Sequence, residues 1–172
     1  MKNRLARLIG TPTINPVAFT VGKLSLAFIV VPPLVQLGGF AIAPPLAGFE
    51  PIAGVLAVAG VLLLVVGTRS LGSALRVGLP QEETVLKTTG VYRYSRHPIY
   101  LSIFLFAIAA CLYCPHPVVI AASFIAVVIH HLIALSEERF LERRFGADWL
   151  AHRARVPRYL GLPRAAGSRG EE

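Results

Sequence analysis

The sequence predicts an all-α protein: a polytopic membrane helix bundle of about four spans with a C-terminal interfacial amphipathic helix. Two observations carry that prediction. The 172-residue chain is 55% hydrophobic and 15% charged, where soluble domains average roughly 45–50% apolar and about 25% charged. The charges are also segregated, since residues 24–49, 51–68 and 97–136 contain no Asp, Glu, Lys or Arg. A spanning helix needs roughly 20 apolar residues rising about 1.5 Å each. The first two runs therefore each fit one span, and the third, 40 residues long, fits two. A disordered or collagen-like chain is excluded by the same composition.

The elements follow in chain order. Residues 1–20 form a basic arm punctuated by Thr, Pro and Asn, with no core of its own. No small-residue cleavage pattern accompanies the apolar run that follows, so the first span is expected to stay in the protein. That span covers about 24–43, and Pro32-Pro33 should kink it. The second covers about 52–68. The third run divides at Cys114-Pro115-His116-Pro117, because two prolines remove two backbone donors and oppose a continuous helix. Its arms are about 99–113 and 118–135. Cys111 and Cys114 have CxxC spacing but lie in an apolar setting without a second pair, which favours packing over redox or metal chemistry. Beyond the fourth span, Phe140, Leu141, Phe145, Trp149 and Leu150 interleave with Glu142, Arg143, Arg144 and Asp148. That pattern reads as an amphipathic helix at the interface, with Trp149 as its anchor. Residues 161–172 read as a loose tail, and 21–160 as a single domain.

Topology follows from the cations. Lys2, Arg4, Arg7 and Lys23 precede span one, Arg69, Arg76, Lys87, Arg93 and Arg96 separate spans two and three, and eight arginines follow span four. That accounts for all 17 basic residues, while the other side holds only Glu50. The positive-inside rule then expects a multi-pass protein with both termini cytoplasmic, the setting being a bacterial inner membrane. The net charge of +8 fits this topology and anionic headgroups rather than nucleic acid.

Antiparallel packing of the last two spans brings Tyr92, Arg96, His97 and Tyr100 to the same membrane edge as His130, His131, Glu137 and Glu138, with a mismatch of about 6 Å in helix rise. Ionisable side chains gathered at one edge of an apolar bundle mark a functional site. No metal is expected, because a seven-residue separation puts His130 and Glu137 about 10.5 Å apart along one helix, too far to share an ion about 2 Å from each ligand. His130 and His131 also suit polar contacts between helices. Neither a GxGxxG nor a Walker pattern occurs, which argues against a Rossmann-type fold or a P-loop.

Gly90-Val-Tyr-Arg-Tyr-Ser-Arg-His-Pro-Ile-Tyr100, then Ser136-Glu-Glu-Arg-Phe-Leu-Glu-Arg-Arg-Phe-Gly146, then Arg155-Val-Pro-Arg158 resemble the isoprenylcysteine carboxyl methyltransferase and phospholipid N-methyltransferase superfamily of integral membrane methyltransferases. The resemblance covers about residues 82–163. It implies S-adenosyl-L-methionine as cofactor, with Arg96, His97, Pro98, Tyr100, Glu137 and Glu138 lining its site in elements 90–100 and 130–158. Tyr92 and His131 complete the candidate set. The residue types suit such a ligand: Glu137 or Glu138 for ribose hydroxyls or ammonium, an Arg for the carboxylate, Tyr92 or Tyr100 for the sulfonium or purine.

Methyl transfer from a sulfonium is an in-line displacement in which alignment dominates, so no covalent nucleophile is required. Arg158 or Arg155 is expected to orient the acceptor. A protonated amine acceptor would need a base, for which His97, His130, His131 and His152 are available. Relative to the family pattern, Val91 replaces a Pro, Ser102 a Gly, and Trp149 and His152 stand at a Tyr-x-x-Tyr position. These departures leave open whether a carboxylate, thiol or phospholipid amine is methylated. The expected partners are a lipophilic or lipidated substrate and membrane lipids. A non-catalytic, partner-binding helix bundle and a nicotinamide-dependent membrane reductase are the alternatives.

Overall fold

A computed structural model describes residues 15–72 and 85–161. The arm up to residue 14, the stretch 73–84 with Arg76, and the tail from 162 lie outside the described residues. Among those described there are five α-helices and no strand: α1 Pro16–Leu37, α2 Glu50–Leu71, α3 Pro98–Tyr113, α4 Pro117–Phe145 and α5 Ala147–Arg155, with a 3-10 turn at Gly90–Arg93 before α3.

Local chemistry sets the helix starts. Pro16 occupies the first turn of α1, and the Asn15 side chain accepts from the Val17 amide at 2.8 Å, an N-cap joined to a residue with no N–H to satisfy. The helix therefore begins eight residues before the expected span, and Lys23 lies inside α1 rather than ahead of it. At the other end α1 stops at Leu37, short of Ala43, and it runs through Pro32-Pro33. The hairpin falls where the prolines require: α3 ends at Tyr113, α4 starts at Pro117, and His116 caps α4 by accepting from the Val118 amide at 3.3 Å.

Small residues set the packing. Ala53, Gly60 and Gly67 recur every seven residues on the buried face of α2, where α3 lies against it. A Cβ added at Gly60 would stand 3.2 Å from the Phe106 ring, and one at Gly67 3.1 Å from Ile99. On α1, Gly22, Ser25 and Ile29 are buried, and a Cβ at Gly22 would meet Ile129 of α4 at 2.5 Å. This is how membrane helices approach closely, since lipid provides no hydrophobic force between them. Large apolar side chains such as Leu24, Val55 and Phe124 face outward, as a chain surrounded by acyl tails requires.

Three helices, α1, α2 and α4, are long and apolar enough to cross a membrane. The fourth expected span, α3, is apolar but has 16 residues, about 24 Å of rise against a core of roughly 30 Å. The bundle has two distinct ends. At one, the Gln36 side chain donates to the Tyr113 carbonyl at 2.7 Å and accepts from the Ala43 amide at 3.0 Å, while the Leu46 amide donates to the Leu112 carbonyl. The opposite end gathers the ionisable groups.

The expected interfacial helix is divided. α4 continues past Ser136 to Phe145, and Gly146, with φ +49°, turns the chain into α5. That backbone angle is strained for any residue with a Cβ. The turn folds α5 back, so Trp149 is 2% exposed inside the protein and is not the interface anchor expected of it.

Candidate active site

The site assembles at the start of α3. Gly90, at φ +62°, turns the chain beside Ser70 of α2, and Pro98 opens α3 in the helix N-terminus that a missing N–H suits. The segment between these points pairs with the chain beyond α5: the Arg96 amide donates to the Pro157 carbonyl at 3.0 Å and the His97 amide to the Arg158 carbonyl at 3.1 Å. Ser95 Oγ also donates to the Arg158 carbonyl, at 3.2 Å. Residues 95–97 and 157–158 are thus held side by side.

Both face the far end of α4. Glu138, buried on that helix, receives Arg158 through Nε at 2.9 Å and Nη2 at 2.8 Å, the forked geometry that makes Arg–carboxylate pairs strong. His97 Nε2–H donates to the same carboxylate at 3.1 Å, and Arg96 Nη1 stands 3.3 Å from it. One carboxylate thereby holds three cationic or donor side chains from two separate segments. Tyr100 donates its hydroxyl to Glu137, while His97 Nδ1 lies 3.7 Å from that carboxylate. The expected offset between the two spans closes because α-helical side chains lean toward the helix N-terminus, which aims both glutamates back along α4.

The two glutamates differ in freedom. The side chain of Glu138 is 6% exposed and surrounded by its partners, whereas that of Glu137 is 25% exposed. An aromatic wall stands beside them: His97 stacks on Tyr100 with centroids 5.5 Å apart, and Tyr159 meets Phe104 edge-on at 4.9 Å. Tyr159 also pairs through its hydroxyl with His131 Nδ1 at 2.9 Å. Tyr92 is buried in the 3-10 turn, and burial, reinforced by the charge of Glu137, pushes its phenol up. Burial likewise raises Tyr159 to about 12, so both phenols stay protonated donors at neutral pH. The hydrogen bonds to Glu138 hold the Arg158 guanidinium firmly charged.

The structure therefore brings together Tyr92, Arg96, His97, Pro98, Tyr100, His131, Glu137, Glu138 and Arg158. It does not bring in Arg155, whose side chain is exposed and donates to the Ala151 carbonyl of its own helix at 3.2 Å. His130 makes no polar bridge between helices among the described residues: its Nδ1–H donates to the Ala126 carbonyl one turn back at 2.7 Å, and it meets α3 through its ring, 5.7 Å from that of Tyr100. Three participants went unread in the sequence. Tyr159 and Ser95 arrive through backbone pairing, and Lys23 reaches from α1 into the field of Glu137.

The family model for phospholipid methyltransferase (PEMT) matches residues 49–148, more than half of the chain. The chain belongs to that family. Comparisons with curated proteins and with solved structures give no match. Family membership makes this a membrane methyltransferase, in keeping with the apolar helices. The matched phospholipid methyltransferase region contains His97, Tyr100, Glu137 and Glu138 but stops before Arg158 and Tyr159. Those two are tied to it by the contacts described above.

Proposed function

We propose that this phospholipid methyltransferase family member uses S-adenosyl-L-methionine to methylate a lipophilic or lipid-anchored acceptor at the cytoplasmic edge of the membrane. The observation that carries the reading is the unequal glutamate pair. Glu138 is consumed in fixing Arg96, His97 and Arg158, while Glu137, its side chain a quarter exposed, meets only the Tyr100 hydroxyl and the edge of His97 at 3.7 Å. A carboxylate with lone pairs to spare suits ribose hydroxyls or an ammonium, and aromatic faces suit a sulfonium. The cofactor, when bound, supplies an electrophilic methyl group. The chain's task is to align acceptor and methyl and to keep water out, which accounts for most of the acceleration in such a displacement. Arg158, which is 29% exposed beyond its pair with Glu138, is the residue assigned to orient the acceptor.

The functional unit is the single domain 21–160, with both termini in the cytoplasm and the site on the same side, as the distribution of basic residues supports. An acceptor held in the bilayer gains about 0.8 kcal/mol per buried CH₂ and reaches the site sideways between helices. A carboxylate or thiol would be ready at neutral pH, whereas an amine would first give up a proton.

The test is a chain-length series of acceptors with carboxyl, thiol and amine heads, assayed with radiolabelled S-adenosylmethionine in nanodiscs. Catalytic efficiency should climb with alkyl length for one head group. Equal efficiency for a short hydrophilic acceptor and its long-chain analogue would refute lateral access.

A further inference from the structure

A second polar feature lies along the 153–161 segment. There the chain encloses a cavity of about 370 Å³ lined by Arg96, Arg153, Arg155, Pro157 and Leu160, among others. Arg96 forms its buried part: its side chain is 8% exposed, its Nη1 has the 3.3 Å ion-pair contact with Glu138, and its Nε has no hydrogen-bond partner among the described residues. Buried donors left unpaired are costly, more so when they carry charge.

The charge count around this cavity is uneven. Glu138 shares its single negative charge among the fork of Arg158, His97 and Arg96, so two arginines meet one carboxylate. Arg153 pairs with Glu142 at 3.2 Å, with both side chains nearly half exposed, and such pairs bind weakly. Arg155 bonds a carbonyl and has no carboxylate partner among the described residues. Burial first, and then Arg158 and Arg153 against the attraction of Glu138, act on Arg96, while burial and then Arg96 and Arg155 act on His152. The local field is therefore that of several cations around one hollow.

We propose that this cavity is an oxyanion site for a phosphate group, either the phosphodiester of a lipid headgroup or free phosphate. Three arginines lining one cavity, Arg96 from the segment before α3 and Arg153 and Arg155 from α5, suit a tetrahedral group with several oxygens, for which an Arg fork gives the strongest geometry. Leu160, 77% exposed at the rim, offers an apolar shoulder to whatever carries the group. The cavity shares Arg96 with the site described above, but neither glutamate lines it, and the proposal stands whether or not the chain binds S-adenosylmethionine.

Trp149 is the single tryptophan of the chain, and its ring lies 5.5 Å from the Arg96 guanidinium, so its emission reports on the cavity. The full chain in nonionic detergent is titrated with inorganic phosphate, with dihexanoylphosphatidylglycerol, and with neutral dihexanoylglycerol. Saturable changes are expected with the two phosphate compounds and none with the neutral lipid. The double substitution Arg153→Gln/Arg155→Gln, at exposed positions, should weaken both by at least tenfold while the unfolding midpoint holds. Tenfold tighter binding of the lipid than of phosphate assigns a headgroup, and equal affinity assigns free phosphate. No saturation with either, an equal response to the neutral lipid, or affinity untouched by the double substitution would overturn the site. A phosphate response abolished by saturating S-adenosylmethionine would give these arginines to the cofactor's carboxylate and overturn a separate site.

Discussion

Glu138 and Glu137 are sequence neighbours with different duties, and substitutions should separate them. Glu138→Ala strips the carboxylate from Arg96, Arg158 and His97, leaving a nearly buried guanidinium unpaired at a cost of about 3 kcal/mol or more. S-adenosylmethionine affinity should fall at least tenfold together with the unfolding midpoint. Glu137→Gln keeps an acceptor for Tyr100, so stability should shift by about 1 kcal/mol or less while affinity again falls at least tenfold. Calorimetric titration alongside thermal unfolding tells the two apart; a destabilised Glu137→Gln with full affinity would reverse the assignment. His152 gives a pH dependence. Burial first, then the charges of Arg96 and Arg155, hold its imidazole below the ordinary 6.5. The unfolded chain then takes up this proton more readily, so stability is present above about pH 6.5 and is lost as the pH falls below it. Unfolding scans should show that loss, and His152→Gln should make it shallower. Much of the site was legible because Arg96, Glu137 and Glu138 flank a 40-residue uncharged run that opens with His97 and have little else to do there. Tyr159 was not, since its place depends on backbone pairing between 96–97 and 157–158, which no side-chain periodicity announces. Arg155 and Arg158 were indistinguishable for the same reason: α5 ends at Arg155, and the extended Val156-Pro157 step carries only Arg158 back to Glu138.

At the scale of elements, charge-free runs and prolines located the helices, while their exact limits came from caps. Asn15-Pro16 moved the start of α1, and Gly146 split what reads in sequence as one amphipathic stretch. Packing partners were invisible, because every face of a membrane helix is apolar and a seam is marked only by small residues such as Ala53, Gly60 and Gly67. The closest approach is the most sensitive one. Gly22→Ala would put a Cβ 2.5 Å from Ile129 Cγ2, so α1 and α4 must separate or the isoleucine must move, at about 1–3 kcal/mol. The expected result is a lowered unfolding midpoint in detergent that Ile129→Ala partly restores in the double variant. An unchanged midpoint for Gly22→Ala would mean that α1 is not seated on α4 as described.

For the whole molecule, one end of the bundle is tied by Gln36 to the α3 terminus, and the other gathers Arg96, His97, Glu137, Glu138 and Arg158. The proposed orientation puts the second end in the cytoplasm, so a reporter fused after Glu172 should read cytoplasmic, and a periplasmic or lumenal reading would invert the site. Two spans supply the chemistry; α1 and α2 supply the surfaces that α4 and α3 pack against, and Lys23 is the exception that reaches the site. The central claim is that this end holds S-adenosylmethionine through the Glu137 carboxylate. Equilibrium titration of S-adenosylmethionine into the full chain in nanodiscs, wild type beside Glu137→Gln, tests it most directly. Saturable binding to the wild type, weakened at least tenfold or about 1.4 kcal/mol in the folded variant, is the predicted result. No saturable binding to the wild type, or equal affinity in both, would contradict it.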